Sequence, residues 1–437
     1  MSKRAVVLAG GGSRGAYQMG VWKALREMGQ GYDIVTGTSV GALNGAMMVQ
    51  GDYEKALEAW ENLSPETVVG ELGEETKGMS DWELHKTFAR EVLEKGGADI
   101  DRLEGFIDSM VDEEKFRQSP VDFALVTVEY PSLKPLELQK KDIPQGMLRE
   151  YLLASAACFP AFQTKEIEGR KYMDGGYHDN MPVNLAISMG ADEIIAIDLE
   201  SVGVVRRLKK IPQKLTLIRS LWPLGSFLKF EGDLAKRNIR LGYLDTKKVF
   251  GEADGQLYAF EKDSILAYSG MLRRRMEELL SKAQEREARM IAPMEERIMR
   301  RMLREFRKRA YHTNTLRPFT LSIQMMMAAE YLGEALDMEP DKEYEFGEFL
   351  ILLKQKAQSR REELSQEELF SREKFDLAGL SEELQMLDHG FLVLLICSRI
   401  KKFLEGKASF GEMLAASAFW KEFAAAVFLY LLENGEQ

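Results

Sequence analysis

The chain has 437 residues and a formal net charge of −11, with 45% hydrophobic and 30% charged residues. That length predicts two to three domains with ample material for a core. The acidic balance excludes general nucleic-acid binding, which needs a basic surface, and leaves no bulk attraction to an anionic membrane, so any lipid contact must be local. Both cysteines, Cys158 and Cys397, fall in apolar segments and read as buried thiols of a reducing, cytoplasmic compartment. The first apolar run already reads as a strand, so no signal peptide is expected.

Ala5–Gly10 is the first predicted strand; it runs into Gly10-Gly11-Gly12-Ser13-Arg14-Gly15 and then a helix over Tyr17–Met28. Strand, glycine loop and helix in this order could cradle a dinucleotide, but that use needs an acidic residue about 20 positions on, at the end of the next strand. The next strand, Ile34–Thr38, ends without an acid. The glycine loop reads better as an oxyanion hole, with side-chain-free amides converging on one oxygen. The following turn, Gly37-Thr38-Ser39-Val40-Gly41, has the form of a nucleophile elbow, with Ser39 presented at the start of a helix over Val40–Gln50. Glycine on both sides suits a strained turn where a Cβ would collide, and the helix N-terminus favours developing negative charge.

Further helices are predicted at Tyr53–Asn62, Asp101–Met110, Met147–Ala157 and Val183–Met189. Strands are predicted at Asp122–Glu129, Leu136–Gln139, Glu193–Glu200 and Leu215–Ile218. Alternation of strand and helix argues for a mostly parallel sheet covered on both faces, with Ser39 at the carboxyl end of its strand. Residues Pro65 to Ala98, with Trp82, Leu84 and Phe88, read either as a lid or as a surface helical excursion. Tyr172-Met173-Asp174-Gly175-Gly176 places an acid at a strand end before two glycines, where an aspartate could take the serine proton.

These three motifs together resemble the patatin-like phospholipase family. Ala154-Ser155-Ala156 with Phe159-Pro160, Asp179-Asn180-Met181-Pro182 and Leu224-Gly225-Ser226-Phe227-Leu228 also resemble bacterial members, and the likeness spans roughly residues 3 to 250. The resemblance implies an α/β fold: a three-layer α/β/α catalytic domain with a mostly parallel sheet. It also implies acyl hydrolysis by a Ser–Asp dyad without histidine. Ser39 then matches the nucleophile, Asp174 the base, and Gly10, Gly11 and Gly12 the oxyanion loop. Arg14, Gly15, Gly37, Gly41, Gly175 and Gly176 support the motifs. Of the four histidines, His178 is nearest to Asp174 in sequence, while His85, His312 and His389 lie elsewhere.

The expected organisation is a catalytic domain over residues 1–260 and an all-helical region over 261–437, whose role the sequence does not state. In that tail, Met294, Ile298, Met299, Met302, Leu303 and Phe306 form one helix face. Arg297, Arg300, Arg301, Arg304, Arg307, Lys308 and Arg309 form the other, which suits either packing into a core or peripheral contact with a membrane surface. Phe410–Leu432 reads as a buried bundle helix, since Lys421 and Glu422 interrupt it. Leu221–Leu228 reads equally as a lipid contact or as core. The expected activity is cleavage of lipid carboxylic esters of phospholipase A or lysophospholipase type. Acyl transfer or thioester hydrolysis by the same residues, or an interaction protein with a vestigial hydrolase half, are the alternatives. No cofactor is expected, and no metal, because no ligand cluster of recognisable spacing occurs. The expected partner is a lipid ester substrate, with no protein partner identifiable.

Overall fold

The computed structural model of the chain describes residues 2–64, 101–313, 319–363 and 388–434, with isolated positions between 79 and 90. The stretch Pro65 to Ala98, apart from those positions, lies outside the described residues. Backbone packing divides the chain into two compact units, the first of residues 1–249 and the second, in the main, of residues 250–437.

The first unit is built on an eight-stranded sheet. Its centre is β1 (Lys3–Leu8), paired in parallel with β2 (Ile34–Thr38) on one side and with β7 (Ala191–Ile197) on the other. β3 (Asp122–Tyr130) continues the parallel array beside β2, and β8 (Lys214–Ile218) continues it beside β7. β4 (Lys134–Gln139), β5 (Lys165–Ile167) and β6 (Arg170–Asp174) are antiparallel additions at the β3 side.

Ala5, Val6, Val7 and Leu8 are all fully buried, as a central parallel strand covered on both faces requires. Side chains alternate along a strand, and the two sets meet different helices. Ala5 and Val7 cluster with Val183 and Ala186 of the helix Val183–Ser188. On the opposite face, α2 (Val40–Gln50) approaches so closely that a Cβ on Gly45 would touch Val35, Phe123 and Leu8. This is the three-layer α/β/α arrangement. A long helix, Gly232–Phe250, has no counterpart among the predicted elements. It crosses α1 (Ala16–Glu27) with backbones in contact, because a Cβ on Gly20 would strike the Ile239 carbonyl and one on Gly242 the Tyr17 carbonyl.

The second unit is helical, with a long helical run over Ser264–Thr313 that is broken by a kink at Glu287 (φ −152°, ψ 62°), and later helices at Leu321–Ala335, Phe346–Glu363, His389–Leu404, Phe410–Ala416 and Trp420–Glu433. It also carries a small sheet of β9 (Ala253–Asp254), β10 (Ala259–Glu261) and β11 (Glu343–Tyr344), which no local pattern announced. The Glu330 carboxylate is wholly buried and accepts the backbone N–H groups of Gln256, Leu257 and Tyr258 at 2.6, 2.9 and 3.2 Å, pinning the β9–β10 connection. Met294, Ile298, Met302 and Phe306 are buried, whereas Arg297, Arg300, Arg304, Arg307 and Lys308 are exposed. The stripe on this helix therefore packs into the unit's own core. Among the described residues, no helix is long and apolar enough to cross a membrane.

Candidate active site

The register of β3 brings the two key motifs together. β4 runs along Ala124–Glu129 of β3 and so occupies one of its edges. The other edge is shared end to end: β2 pairs with it up to Thr38 opposite Val126, and β6 from Asp174 opposite Thr127. β2 and β6 run in opposite directions, so their carboxyl ends meet at neighbouring positions of β3. Ser39 follows one end, and Asp174 is the other.

Ser39 has φ 56° and ψ −130°, backbone angles that strain a residue with a Cβ and are held by the surrounding structure. Its flanking glycines are required by close backbone approach. A Cβ on Gly37 would run into the Gly41 carbonyl, and one on Gly41 into the carbonyls of Leu8 and Ala9. The elbow is fastened by the Ser155 hydroxyl, which accepts the Ser39 N–H at 2.9 Å and donates to the Val126 carbonyl at 2.7 Å. Thr38 Oγ1 donates to the Asp179 carbonyl at 2.7 Å, tying the elbow to the segment after Asp174.

The Asp174 carboxyl is 5% exposed. Burial raises its pKa from 3.8 to about 6, against the opposing effect of hydrogen bonds from the Ser39 side chain and the Gly176 N–H, the latter at 2.7 Å. A Cβ on Gly175 would strike the Val126 carbonyl, which explains the first glycine after the acid. Asp179 is a second buried carboxyl pushed up to about 6 by burial, and it accepts the N–H groups of Met181 and Arg206. His178 lies near in sequence, but its ring faces Arg206 and Glu137. Burial and the Arg206 charge lower its pKa. His389 contacts Glu422 in the second unit. His85 and the side chain of His312 lie outside the described residues.

The three glycines expected to form the oxyanion loop, Gly10, Gly11 and Gly12, differ in how their amides are bonded. The Gly10 N–H is committed to the Asn180 carbonyl at 3.0 Å, because the loop must be stitched to the segment after Asp174. Gly11 and Gly12 line the cavity beside Ser39, and their N–H groups bond to no carbonyl among the described residues. Gly12 has φ 54°, and a Cβ there would collide with the Phe227 carbonyl.

Arg14 points away from the serine and braces three carbonyls, those of Gly225, Leu199 and Glu200, at 2.8, 3.2 and 2.8 Å. Gly15 sits tight against Val40 and Trp60. Beneath the loop runs a buried polar chain that no motif announced. Trp60 donates to Asn44, Asn44 to Gln18 and to the Gly15 carbonyl, and Gln18 to the Ala9 carbonyl. Both ends of the glycine loop are thereby held.

These groups open into one cavity of about 500 Å³, walled mostly by apolar side chains including Leu43, Trp60, Leu103, Phe106 and Phe162. Phe227 and Leu228 belong to the same wall and Leu224 is buried, so the Leu221–Leu228 segment contributes to the cavity itself. Cys158 also lines it, with its thiol pushed up to about 12 by burial and by the Asp174 charge. Among the described residues, no group of three or more His, Cys, Asp or Glu side chains is arranged to hold a metal ion.

Comparison with known proteins finds a family match within the first unit. Residues 6–187 match the family model for patatin-like phospholipase. Lysophospholipase nte1 of Aspergillus terreus is 30% identical over 206 residues, covering 45% of this chain and 12% of that protein. Patatin-like phospholipase domain-containing protein 7 of Mus musculus is 31% identical over 205 residues, covering 45% of this chain and 14% of that protein. The match thus takes in less than one sixth of the length of these curated relatives. Among solved structures, VipD from Legionella pneumophila aligns with a TM-score of 0.38 at 12% identity, covering 99% of this chain and 90% of that one. The type III effector protein ExoU aligns with a TM-score of 0.32 at 14% identity, covering 93% and 80%. Residues 6–187 of the chain therefore form a patatin-like phospholipase domain.

Proposed function

We propose that this chain hydrolyses carboxylic esters of lipids, with Ser39 as nucleophile and Asp174 as general base. The observation that carries the reading is a hydroxyl on a strained elbow beside a buried carboxyl whose pKa is raised to about 6, both lining an apolar cavity. A carboxylate of ordinary pKa near 4 is a weak base for a serine; one near 6 is better matched and still ionised at neutral pH. The cavity volume lies in the range typical of small-molecule pockets, roughly 300–1,000 Å³, and its apolar walls suit an acyl chain.

In the first step Ser39 Oγ attacks the acyl carbonyl carbon while its proton passes to Asp174. The carbonyl oxygen becomes an oxyanion held by the Gly11 and Gly12 amides, aided by the N-terminal end of α2. Collapse breaks the ester bond, and the leaving alkoxide takes the proton from Asp174. Water, deprotonated by the same carboxylate, then attacks the acyl-enzyme, and Ser39 recovers its proton as the fatty acid departs. The two cysteines are free thiols, which fits catalysis in a reducing, cytoplasmic compartment. A fluorophosphonate probe tests the assignment. Wild type should label at Ser39 and lose lipid esterase activity on labelling, while a folded Ser39→Ala variant should do neither. Labelling of that variant at another serine would remove Ser39 from the role.

A further inference from the structure

The segment that connects β7 to β8 carries a combination of side chains that the chemistry of Ser39 does not use. From Ser201 to Gln213 it contains no acidic residue, and it includes Arg206, Arg207, Lys209 and Lys210 in a chain whose net charge is −11. Residues 202–211 are all exposed, Val202 at 92% and Val205 at 55%. Among the described residues, no ion pair involves Arg207, Lys209 or Lys210.

This strap is fixed to the site. The Val204 N–H donates to the Gly176 carbonyl at 2.9 Å, and the Asn180 N–H to the Val204 carbonyl at 2.6 Å. Asn184 brackets the next stretch, donating to the Arg207 carbonyl and accepting the Lys209 N–H, both at 2.9 Å. Val202 and Val204 also line the mouth of the Ser39 cavity.

The strap does not stand alone. Among the described residues of the first unit, every large apolar side chain left exposed lies in the strap, at Tyr177, or in the β3–β4 hairpin at Tyr130 and Leu133. Tyr177 donates to the Phe159 carbonyl, and the Phe159 ring packs on Tyr130 with centroids 5.4 Å apart. Arg206 reaches His178, which in turn faces Glu137 of β4. The three segments are therefore contiguous. The hairpin follows the carboxyl end of β3, and the strap leaves the carboxyl end of β7, the same edge of the sheet that bears Ser39. From there the strap runs down past Asn184, and Gln213 bonds to Asp192 at the start of β7.

We infer that this rim, formed by Val202, Val204, Val205, Tyr177, Tyr130 and Leu133 with Arg206 and Arg207, docks the cavity mouth onto an anionic lipid bilayer. Exposed apolar side chains flanked by basic ones insert at the boundary between acyl chains and headgroups while the cations meet lipid phosphates. The attraction is local, so the overall negative charge does not prevent it; screening confines it to about a Debye length. This orientation delivers an acyl ester into the cavity without its crossing water. The inference rests on the lipid-ester reading of Ser39, and its test separates the two.

The experiment is co-sedimentation of the full chain with vesicles of phosphatidylcholine containing phosphatidylglycerol, against phosphatidylcholine alone. Turnover of a soluble short-chain ester is measured in parallel. Wild type should pellet with the anionic vesicles, less so as salt rises. The double variant Val205→Asp, Arg207→Gln lies outside the cavity lining. It should weaken binding by at least about tenfold, of which about fivefold comes from the lost charge. Its soluble-ester turnover should stay within about twofold of wild type, which also shows that it folds. Leu133→Asp, in the separate hairpin, should weaken vesicle binding in the same direction. Wild type that stays in the supernatant, or a folded double variant that binds undiminished, overturns the docking surface. Wild type that binds anionic vesicles but cleaves no ester supports the surface and sinks the hydrolase reading instead.

Discussion

Replacing Asp174 by Asn should destroy activity and stabilise the protein, in a manner set by pH. Burial holds the carboxyl at about 6 instead of 3.8, so the folded state favours the neutral form. For an acid shifted upward, the associated stabilisation is complete below the unfolded pKa near 4 and is lost as the pH rises through about 6. Above that point the native state carries a buried charge at a cost of about 3 kcal/mol, from roughly two pKa units at about 1.4 kcal/mol each. Asparagine keeps an oxygen for the Gly176 N–H but has no charge to bury. In thermal unfolding, the transition of the first unit should therefore lie about 6–12 °C higher for Asp174→Asn than for wild type at pH 8. The gap should shrink toward zero as the pH falls to 4. Asp179 titrates over the same range but is present in both proteins, so it cancels in the difference. A variant no more stable than wild type at pH 8, or a gap that persists at pH 4, would refute the reasoning.

Two further outcomes follow from side chains already placed. His178→Ala should lower kcat/KM on a soluble ester by less than about tenfold, whereas Asp174→Asn should lower it by several orders of magnitude; equal losses would mean that His178 shares the base's role. Glu330→Ala should cost the second unit about 3–5 kcal/mol, because three buried N–H groups lose a charged acceptor. Urea unfolding followed by far-UV circular dichroism measures this, and a loss below about 1 kcal/mol would show that other groups hold the β9–β10 connection.

The elements that were legible are those whose residues satisfy both local pattern and burial. Ala5–Leu8 and Ile34–Val35 are short apolar runs bounded by glycine turns, and they became the two central strands. The elbow was legible because its glycines are forced by backbone contact, which no side-chain substitution can evade. Other features depend on partners distant in the chain. The helix Gly232–Phe250 contains Gly242, a poor helix former in isolation, whose value lies in touching the Tyr17 carbonyl of α1. The short strands of the second unit exist through pairing such as Ala259 with Glu343, which local sequence does not encode. Gln18 and Asn44 carry no motif, and the Ala154-Ser155-Ala156 likeness gave no role for Ser155. Their one signal is a polar residue at an otherwise apolar helical position, and such residues are buried only when their hydrogen bonds are met.

The proposed base was recognisable from sequence as an acid at a strand end, but its nearness to Ser39 was not, and the sheet explains why. β2 lies parallel along the first half of one edge of β3 and β6 antiparallel along the second half, so the two meet with their carboxyl ends together. That meeting fixes Ser39 and Asp174 against each other through backbone pairing on either side of the Val126–Thr127 bond. Ser155 then bonds to the Val126 carbonyl and to the Ser39 amide, while the Thr127 hydroxyl donates to the Met173 carbonyl at 2.8 Å. Ser39 and Asp174 are thus tied to adjacent residues of a third strand, with no loop of adjustable length between them. Asp174 at that meeting point is buried, and burial raises its pKa to about 6, so the same place in the sheet that brings the carboxyl beside the elbow also sets the strength of the proposed base.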